Sequence, residues 1–355
     1  MSIVVRSASL IDDREELLDL LERNFGEPQE LRFAWRHESN PVGPGWSWVI
    51  YDRNRKAIVA MTSVFPRRMY VSGKLEVCGQ VGEFAVDTTY RSLGPALQLQ
   101  RATFGPVDSG AISLCYDCPP HDAGMSTFLR LGMGVNCTMT RYALPLRSDE
   151  FIRKKFGNSL WTKPVAMATN LLLRGRRVQK GTTDLEISKF DVGFDDEFSN
   201  LDHMVSSAGK IRASRSSSEL NWRYRDDPMR GRSASTSSAK YRCLVARKAG
   251  ELQGFAVFFT ETEGIATLVD LFGHNIADTG IALLEAVIET CHDEDVAVLH
   301  GFCSDASDLE ELFQNLGFRR REIAARVVGY EKPHATEKLL TSDIQWDFGH
   351  VELMV

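Results

Sequence analysis

The segment Trp35-Arg36-His37-Glu38-Ser39-Asn40-Pro41 recurs 187 residues later as Trp222-Arg223-Tyr224-Arg225-Asp226-Asp227-Pro228. Both read Trp-Arg-x-x-x-x-Pro. A second echo pairs Phe128-Leu129-Arg130-Leu131-Gly132-Met133 with Phe313-Gln314-Asn315-Leu316-Gly317-Phe318, Gly132 answering Gly317. Either match alone is within chance. Two matches at nearly one offset, about half the chain, argue for duplication of one domain. A chain of 355 residues is also long for one ordinary core. The expected organisation is a domain over 1–146, a linker over 147–184, a second domain over 185–333 and a tail over 334–355.

Local patterning gives each half the same mixture of strands and helices. Residues 3–6 read as a short strand, and Asp12 to Phe25 as a helix with Leu17, Leu18, Leu20 and Leu21 at helical spacing behind an acidic first turn. Strands are expected at 47–51, 58–64, 69–71 and 76–86, separated by the turns Asp52-Arg53-Asn54-Arg55 and Ser72-Gly73-Lys74. A helix, a strand near 111–116, a helix near 124–131 and a strand near 135–144 complete the first half. The second half repeats the theme, with strands at 241–246, 254–260, 266–272 and 296–302. Its helices fall at 281–291 and 308–316, the latter stopped by Gly317, where a left-handed cap is natural. The fold class is α/β (α+β), a mixed sheet in each half flanked by helices.

Charge and composition remove several functions. The 42 Lys+Arg against 48 Asp+Glu give a formal charge of −6, so a basic surface for nucleic acid is not the default. No apolar run approaches the roughly 20 residues of a membrane span. The N-terminus lacks the pattern of a secretory signal. Seven cysteines, an odd number scattered over the chain, fit a reducing cytoplasm better than a disulfide framework. The stretch 151–180 carries eight Lys/Arg and no acid, and reads as a solvated connecting helix or as a face for anionic lipid or nucleotide phosphates. Cys115-Tyr116-Asp117-Cys118 has no second Cys-x-x-Cys and is followed by Pro119-Pro120, which speaks against zinc and against thioredoxin-like chemistry; no metal is expected.

The segment most informative about chemistry is Val81-Gly82-Glu83-Phe84-Ala85-Val86-Asp87-Thr88-Thr89-Tyr90-Arg91-Ser92-Leu93-Gly94-Pro95-Ala96. A strand ends near Val86, a turn follows, and a helix starts around Gly94–Ala96. Small residues let a polyanion approach the backbone, whose free N–H groups and helix dipole favour negative charge, and Arg91 adds a cation. Pro95 suits a first helical turn but removes one N–H donor.

Arg91-x-x-Gly94-x-Ala96 resembles the Gln/Arg-x-x-Gly-x-Gly/Ala signature of the GNAT acyltransferases, and the order of elements around it is similar to theirs. The fragment Phe128-Leu129-Arg130-Leu131-Gly132-Met133 is similar to their late Tyr-x-x-x-Gly-Phe element. The resemblance covers roughly 1–146, with a fainter version over 185–333, so the whole looks like two tandem GNAT-like domains, each a mostly antiparallel twisted sheet. A narrower likeness, on Trp35…Pro41 and Val86-Asp87…Arg91, is to members associated with polysaccharide and nucleotide-sugar biosynthesis.

The resemblance implies an acyl-CoA co-substrate, acetyl-CoA or another, whose pyrophosphate meets Arg91, Ser92, Leu93, Gly94 and Ala96. Its pantetheine arm would pair with the backbone of Phe84 and Val86. It also implies transfer of the acyl group to the amine of a small metabolite, an amino sugar or nucleotide-linked sugar among the candidates. Glu83, flanked by Val81 and Phe84, is the first choice of general base, on the expectation that desolvation raises its pKa. Phe128 stands where the family often has the tyrosine that protonates the leaving thiolate, so Tyr116 and His121 are the replacement candidates. In the second half, Leu271 to Gly280 lacks the phosphate signature and carries Asp278, which repels phosphate. That half is expected to shape the acceptor site. The two Trp segments read as structural plugs ahead of stacking platforms for a ring. The alternatives left open are a Fem-like aminoacyl-tRNA-dependent transferase and a non-catalytic acyl-CoA sensor or scaffold. A homodimer is compatible with the sequence.

Overall fold

Strand β1 (Ile3–Ser7) pairs antiparallel with β2 (Trp46–Asp52), which leads through β3 (Ala57–Val71) into β4 (Lys74–Val86) by antiparallel hairpins. The computed structural model describes residues 3–91, 93–119, 121–149, 184–191, 193–228, 241–261, 264–334 and 338–353. The basic stretch 151–180 and Ser92 lie outside them. Helix α1 (Arg14–Phe25) lays Leu17, Leu20 and Leu21 on one face of this sheet, against Val49, Ile58, Met61 and Ala85. Its periodic leucines force that placement, and Gly26 ends it in the left-handed conformation at φ 78°. Helices α2 (Leu93–Ala102) and α3 (Asp122–Arg130) cover the other face; α3 follows β5 (Leu114–Asp117) and places Phe128 in the core with Val64, Val81 and Cys115.

One expectation fails here in an instructive way. Two strands were anticipated where β3 runs unbroken for 15 residues, straight through Pro66. β3 pairs with β2 only as far as Val64, and with β8 (Lys210–Ala213) only from Met69. Pro66 therefore sits in the gap between two neighbours, where a missing N–H breaks no ladder bond.

The second half begins with β7 (Glu186–Phe190) and α4 (Asp196–Met204). It continues after β8 with β9 (Arg242–Lys248), β10 (Glu251–Thr260), β11 (Ile265–Gly273), α5 (Ile276–Asp293), β12 (Val298–Ser304) and α6 (Asp308–Asn315). Gly317 takes φ 85°, the left-handed cap expected after α6.

The halves exchange their last strands. β6 (Val135–Pro145), which ends the first half, pairs antiparallel with β12 of the second. β13 (Arg319–Glu331), from the second half, pairs antiparallel with β5 of the first and with β6 itself. The resulting order is β1-β2-β3-β4-β5-β13-β6-β12-β11-β10-β9-β7, one continuous sheet through both halves.

The two Trp-Arg motifs meet across the join. Each lies on a π-helical turn, Ala34–Glu38 and Asn221–Arg225. The indoles stack at 4.6 Å and 21°, and each donates its N–H to the other's main-chain carbonyl: Trp35 to Trp222 O at 2.8 Å, Trp222 to Trp35 O at 2.9 Å. Burial of both polar groups is thus fully compensated.

The C-terminal segment is interior rather than peripheral. β14 (Gln345–Trp346) adds parallel to β8, and Trp346, Phe348 and Val351 are buried. Phe348 O accepts from Ser304 N at 3.0 Å, and Gly349 bridges to Cys303, so the segment runs along β12 where β11 has diverged.

Candidate active site

A parallel strand pair that separates leaves a wedge with two unpaired backbone edges. In the first half, β4 and β5 pair only through Gly79 with Cys115 and Gln80 with Tyr116; beyond that they part. β4 continues to Val86, a single 3-10 turn spans Thr88–Tyr90, and α2 begins at Leu93. Tyr90 is pinned in the core by its hydroxyl, which donates to Asp52. Arg91 folds back, its Nε donating to Val86 O at 2.9 Å and its Nη2 to Asn24 Oδ1 at 3.1 Å. Asp87 is held by Arg23 at 3.2 Å. The turn is thereby tied to the end of β4 and to α1. Gly94 is exposed, and a Cβ there would meet nothing within 4 Å, so the start of α2 is open to a ligand. Phe84 and Val86 pack with Ile50, Val59 and Leu99, and Ala96 is half-buried on α2. Of the phosphate-loop residues expected from the sequence, Arg91 is thus tied back to the end of β4, and Gly94 and Ala96 lie in the first turns of α2.

Glu83 is at a bulge in β4: Met61 faces Ala85 while Ser63 faces Gly82, and Glu83 takes φ 53°. The bulge turns its carboxylate into the interior. His37 Nε2 lies 2.8 Å from Oε2, Ser63 Oγ donates to the same oxygen at 3.2 Å, and Arg36 approaches Oε1 at 3.5 Å. Ser47 Oγ is 2.8 Å from Ser63 Oγ and extends the chain of hydroxyls. Burial pushes the carboxyl up, but His37, Arg36 and Arg32 together outweigh it and hold Glu83 down at about 2. This corrects the expected protonation behaviour. A carboxylate so stabilised gives little driving force for taking a proton.

Tyr116 and His121 are not brought to Glu83. Tyr116 is enclosed under the C-terminal segment, its ring 5.2 Å from Phe348 and its hydroxyl without a hydrogen-bond partner among the described residues. Burial pushes its pKa well up, and only 1% of the residue is exposed. His121 is exposed at the start of α3, with no side-chain bond to the helix.

Pattern reading passed over one carboxyl near the fork. Asp117 ends β5, directly after the last β4–β5 pair, so it stands at the mouth of the fork. It is half-buried with no ion-pair partner among the described residues, and burial lifts it to about 7. The thiols of Cys115 and Cys118 beside it are raised by burial and stay protonated.

The Glu83 environment has a counterpart in the second half. Tyr224 OH donates to Asp270 Oδ2 at 3.0 Å, and Arg215 Nη2 to Asp270 Oδ1 at 3.1 Å. Tyr224 and Asp270 each stand 187 residues after His37 and Glu83, the Trp motif's own offset, and both carboxylates sit at a register break. The sequence signal was present: carrying the echo forward from Glu83 lands on an acid.

Residues 5–130 match the family model described as the acetyltransferase (GNAT) domain. This part of the chain is a GNAT domain. The mixed, mostly antiparallel architecture of the whole chain is also similar to solved GNAT structures. A probable N-acyltransferase from Enterococcus faecalis V583 has a TM-score of 0.65 at 12% identity, over 93% of this chain and 72% of that one. A GCN5-related N-acetyltransferase from Anabaena variabilis gives 0.64 at 13%, over 92% and 72%. N-myristoyltransferase from Saccharomyces cerevisiae, solved with myristoyl-CoA and inhibitors, gives 0.56 at 14%, over 94% and 81%. These likenesses continue past residue 130 into the second half. No curated protein matches the chain in sequence. The match to the GNAT domain supports an acyltransferase activity in general. Among the described residues no helix is long and apolar enough to cross a membrane.

Proposed function

We propose that this GNAT protein transfers an acyl group from acyl-CoA to the amine of a small molecule in the fork between β4 and β5. The observation that carries this reading is the open start of α2 at Gly94, reached from the free end of β4 through a turn that Arg91 fixes. The pantetheine arm adds along β4 beside Phe84 and Val86, and the diphosphate meets the main chain of α2's first turn and the Arg91 guanidinium.

In the reaction the amine nitrogen attacks the thioester carbonyl carbon, the C–S bond breaks, and sulfur leaves as thiolate. The attacking nitrogen must give up a proton to a base. Asp117, at about 7, is matched to that task near neutral pH, whereas Glu83 is not. Glu83 instead fixes His37 and Arg36 behind the bulge that shapes β4. Two protons leave the nitrogen in all: one is released to solvent as the ammonium becomes the free amine, and the one Asp117 takes as the nitrogen attacks returns to the thiolate, which departs as thiol.

Two variants test this on a panel of primary amines, amino sugars included, with acetyl-CoA and a longer acyl-CoA. Arg91→Ala weakens acyl-CoA binding by calorimetry. Asp117→Asn lowers kcat about a hundredfold or more with KM for acyl-CoA unchanged, and removes the rise of kcat with pH near 7. Wild-type kcat in Asp117→Asn would remove Asp117 from the mechanism. Acyl-CoA binding without turnover of any amine would favour a sensor, and absence of binding would end the transferase reading.

A further inference from the structure

The second half has its own fork, and it is built differently. β11 and β12 pair in parallel only from Ile265–Thr267 with Val298–His300, then separate. The C-terminal segment enters the gap. A methyl group on Gly349 would lie 3.7 Å from Val269 O on β11 and 3.8 Å from Phe302 O on β12. An extended arm cannot add along β11 there, because the chain itself occupies the inner end. What remains outside it is a cavity of about 390 Å³, within the range of small-molecule sites. Leu268, Phe272, Ile276, Phe302, Leu309 and Phe348 supply its apolar walls.

The charges around this cavity do not balance. Lys210 is bonded to Asp308 at 2.7 Å. Arg215 is bonded to Asp270 at 3.1 Å and faces Glu352 at 3.8 Å, and Asp347 also acts on it. Asp347 has only the Ser307 hydroxyl, at 3.1 Å, as a side-chain partner among the described residues. Among the described residues of the lining, two permanent cations, Lys210 and Arg215, face three carboxylates, Asp270, Asp308 and Asp347, and His274 is the one imidazole. Lys210 and Arg215 are each bonded to another acid, so Asp347, which only adds to the field on Arg215, is the carboxylate left without an ion-pair partner of its own among the described residues. The first turn of α5, which borders the cavity, is already supplied with negative charge by Asp278, whose Oδ2 accepts from Asn275 at 2.6 Å. A phosphate or carboxylate ligand meets surplus acid here, while an ammonium ion meets a partner.

We propose that the cavity of the second fork binds an organic ammonium ion, a primary amine on an apolar body. The carboxylate of Asp347 takes the charge and the apolar walls take the body. The site is separate from the β4–β5 fork and does not depend on the acyl-CoA reading.

Calorimetric titration of the full chain with 4-phenylbutylamine, and with 4-phenylbutan-1-ol as its neutral analogue, tests this. The amine binds roughly tenfold or more tightly than the alcohol, as a charge-assisted bond predicts. Asp347→Asn removes that preference. Met204→Trp fills the mouth from a side chain that is 60% exposed, so it leaves the fold intact and abolishes binding of the amine. Equal affinity for amine and alcohol, no binding of the amine at millimolar concentration, or full binding by Met204→Trp would each overturn the proposal.

Discussion

Glu83 has a backbone conformation that costs energy for any side chain but glycine, and a charge that costs energy in the interior. Both costs are offset by the same three partners, His37, Ser63 and Arg36. Because the folded carboxyl is held below its ordinary value, its stabilising contribution is full above about 4.5 and is lost as pH falls towards about 2. Glu83→Gln should therefore cost about 3 kcal/mol at neutral pH, since it leaves Arg36 buried without its anion. The penalty should shrink steadily on acidification below about 4.5. Urea unfolding of both proteins from pH 7 to pH 3 measures the closing gap; a gap independent of pH would contradict the charged pair. The sequence could not show this. Val81 and Phe84 suggest an apolar setting, whereas the groups that set the charge arrive from 46 residues upstream on another element.

At the level of elements, the turn that carries Trp35 and the one that carries Trp222 act as a single joint. Each indole satisfies the other's main chain, so neither can be altered without leaving a carbonyl unpaired in the interior. Trp35→Phe and Trp222→Phe should each lose about 1–2 kcal/mol in denaturant unfolding. The double variant should lose less than the two together, because both act on one contact. Strict additivity would mean the stack is incidental. Most elements were legible from patterning: α1 from its leucines, the hairpins from their turns, the end of α6 from Gly317. β3 was not, because a proline normally ends a strand, and only knowledge of the neighbouring strands shows that its N–H has no partner to miss.

For the molecule as a whole, the repeat in the sequence announced two similar halves but not that they trade strands. Periodicity says which face of a strand is buried; it does not say which strand lies beside it. β6 and β13 have the same local character in either arrangement. The exchange makes each half depend on the other for the completion of its sheet. Residues 1–149 alone should therefore expose the edges of β5 and β6 and aggregate, whereas the full chain unfolds in one transition. Co-expression with residues 184–355 should recover a soluble complex. A monomeric 1–149 fragment with its own sharp thermal transition would show that the exchange is dispensable.

The swapped strands also bear on how such a chain can change over generations. If a single-copy forerunner made the same trade, it did so between two separate molecules, and its assembly fell away on dilution. Fusion into one polypeptide frees that association from concentration. Once fused, the copies no longer had to stay identical: one could keep an open wedge, while the other closed its own with the chain's final residues.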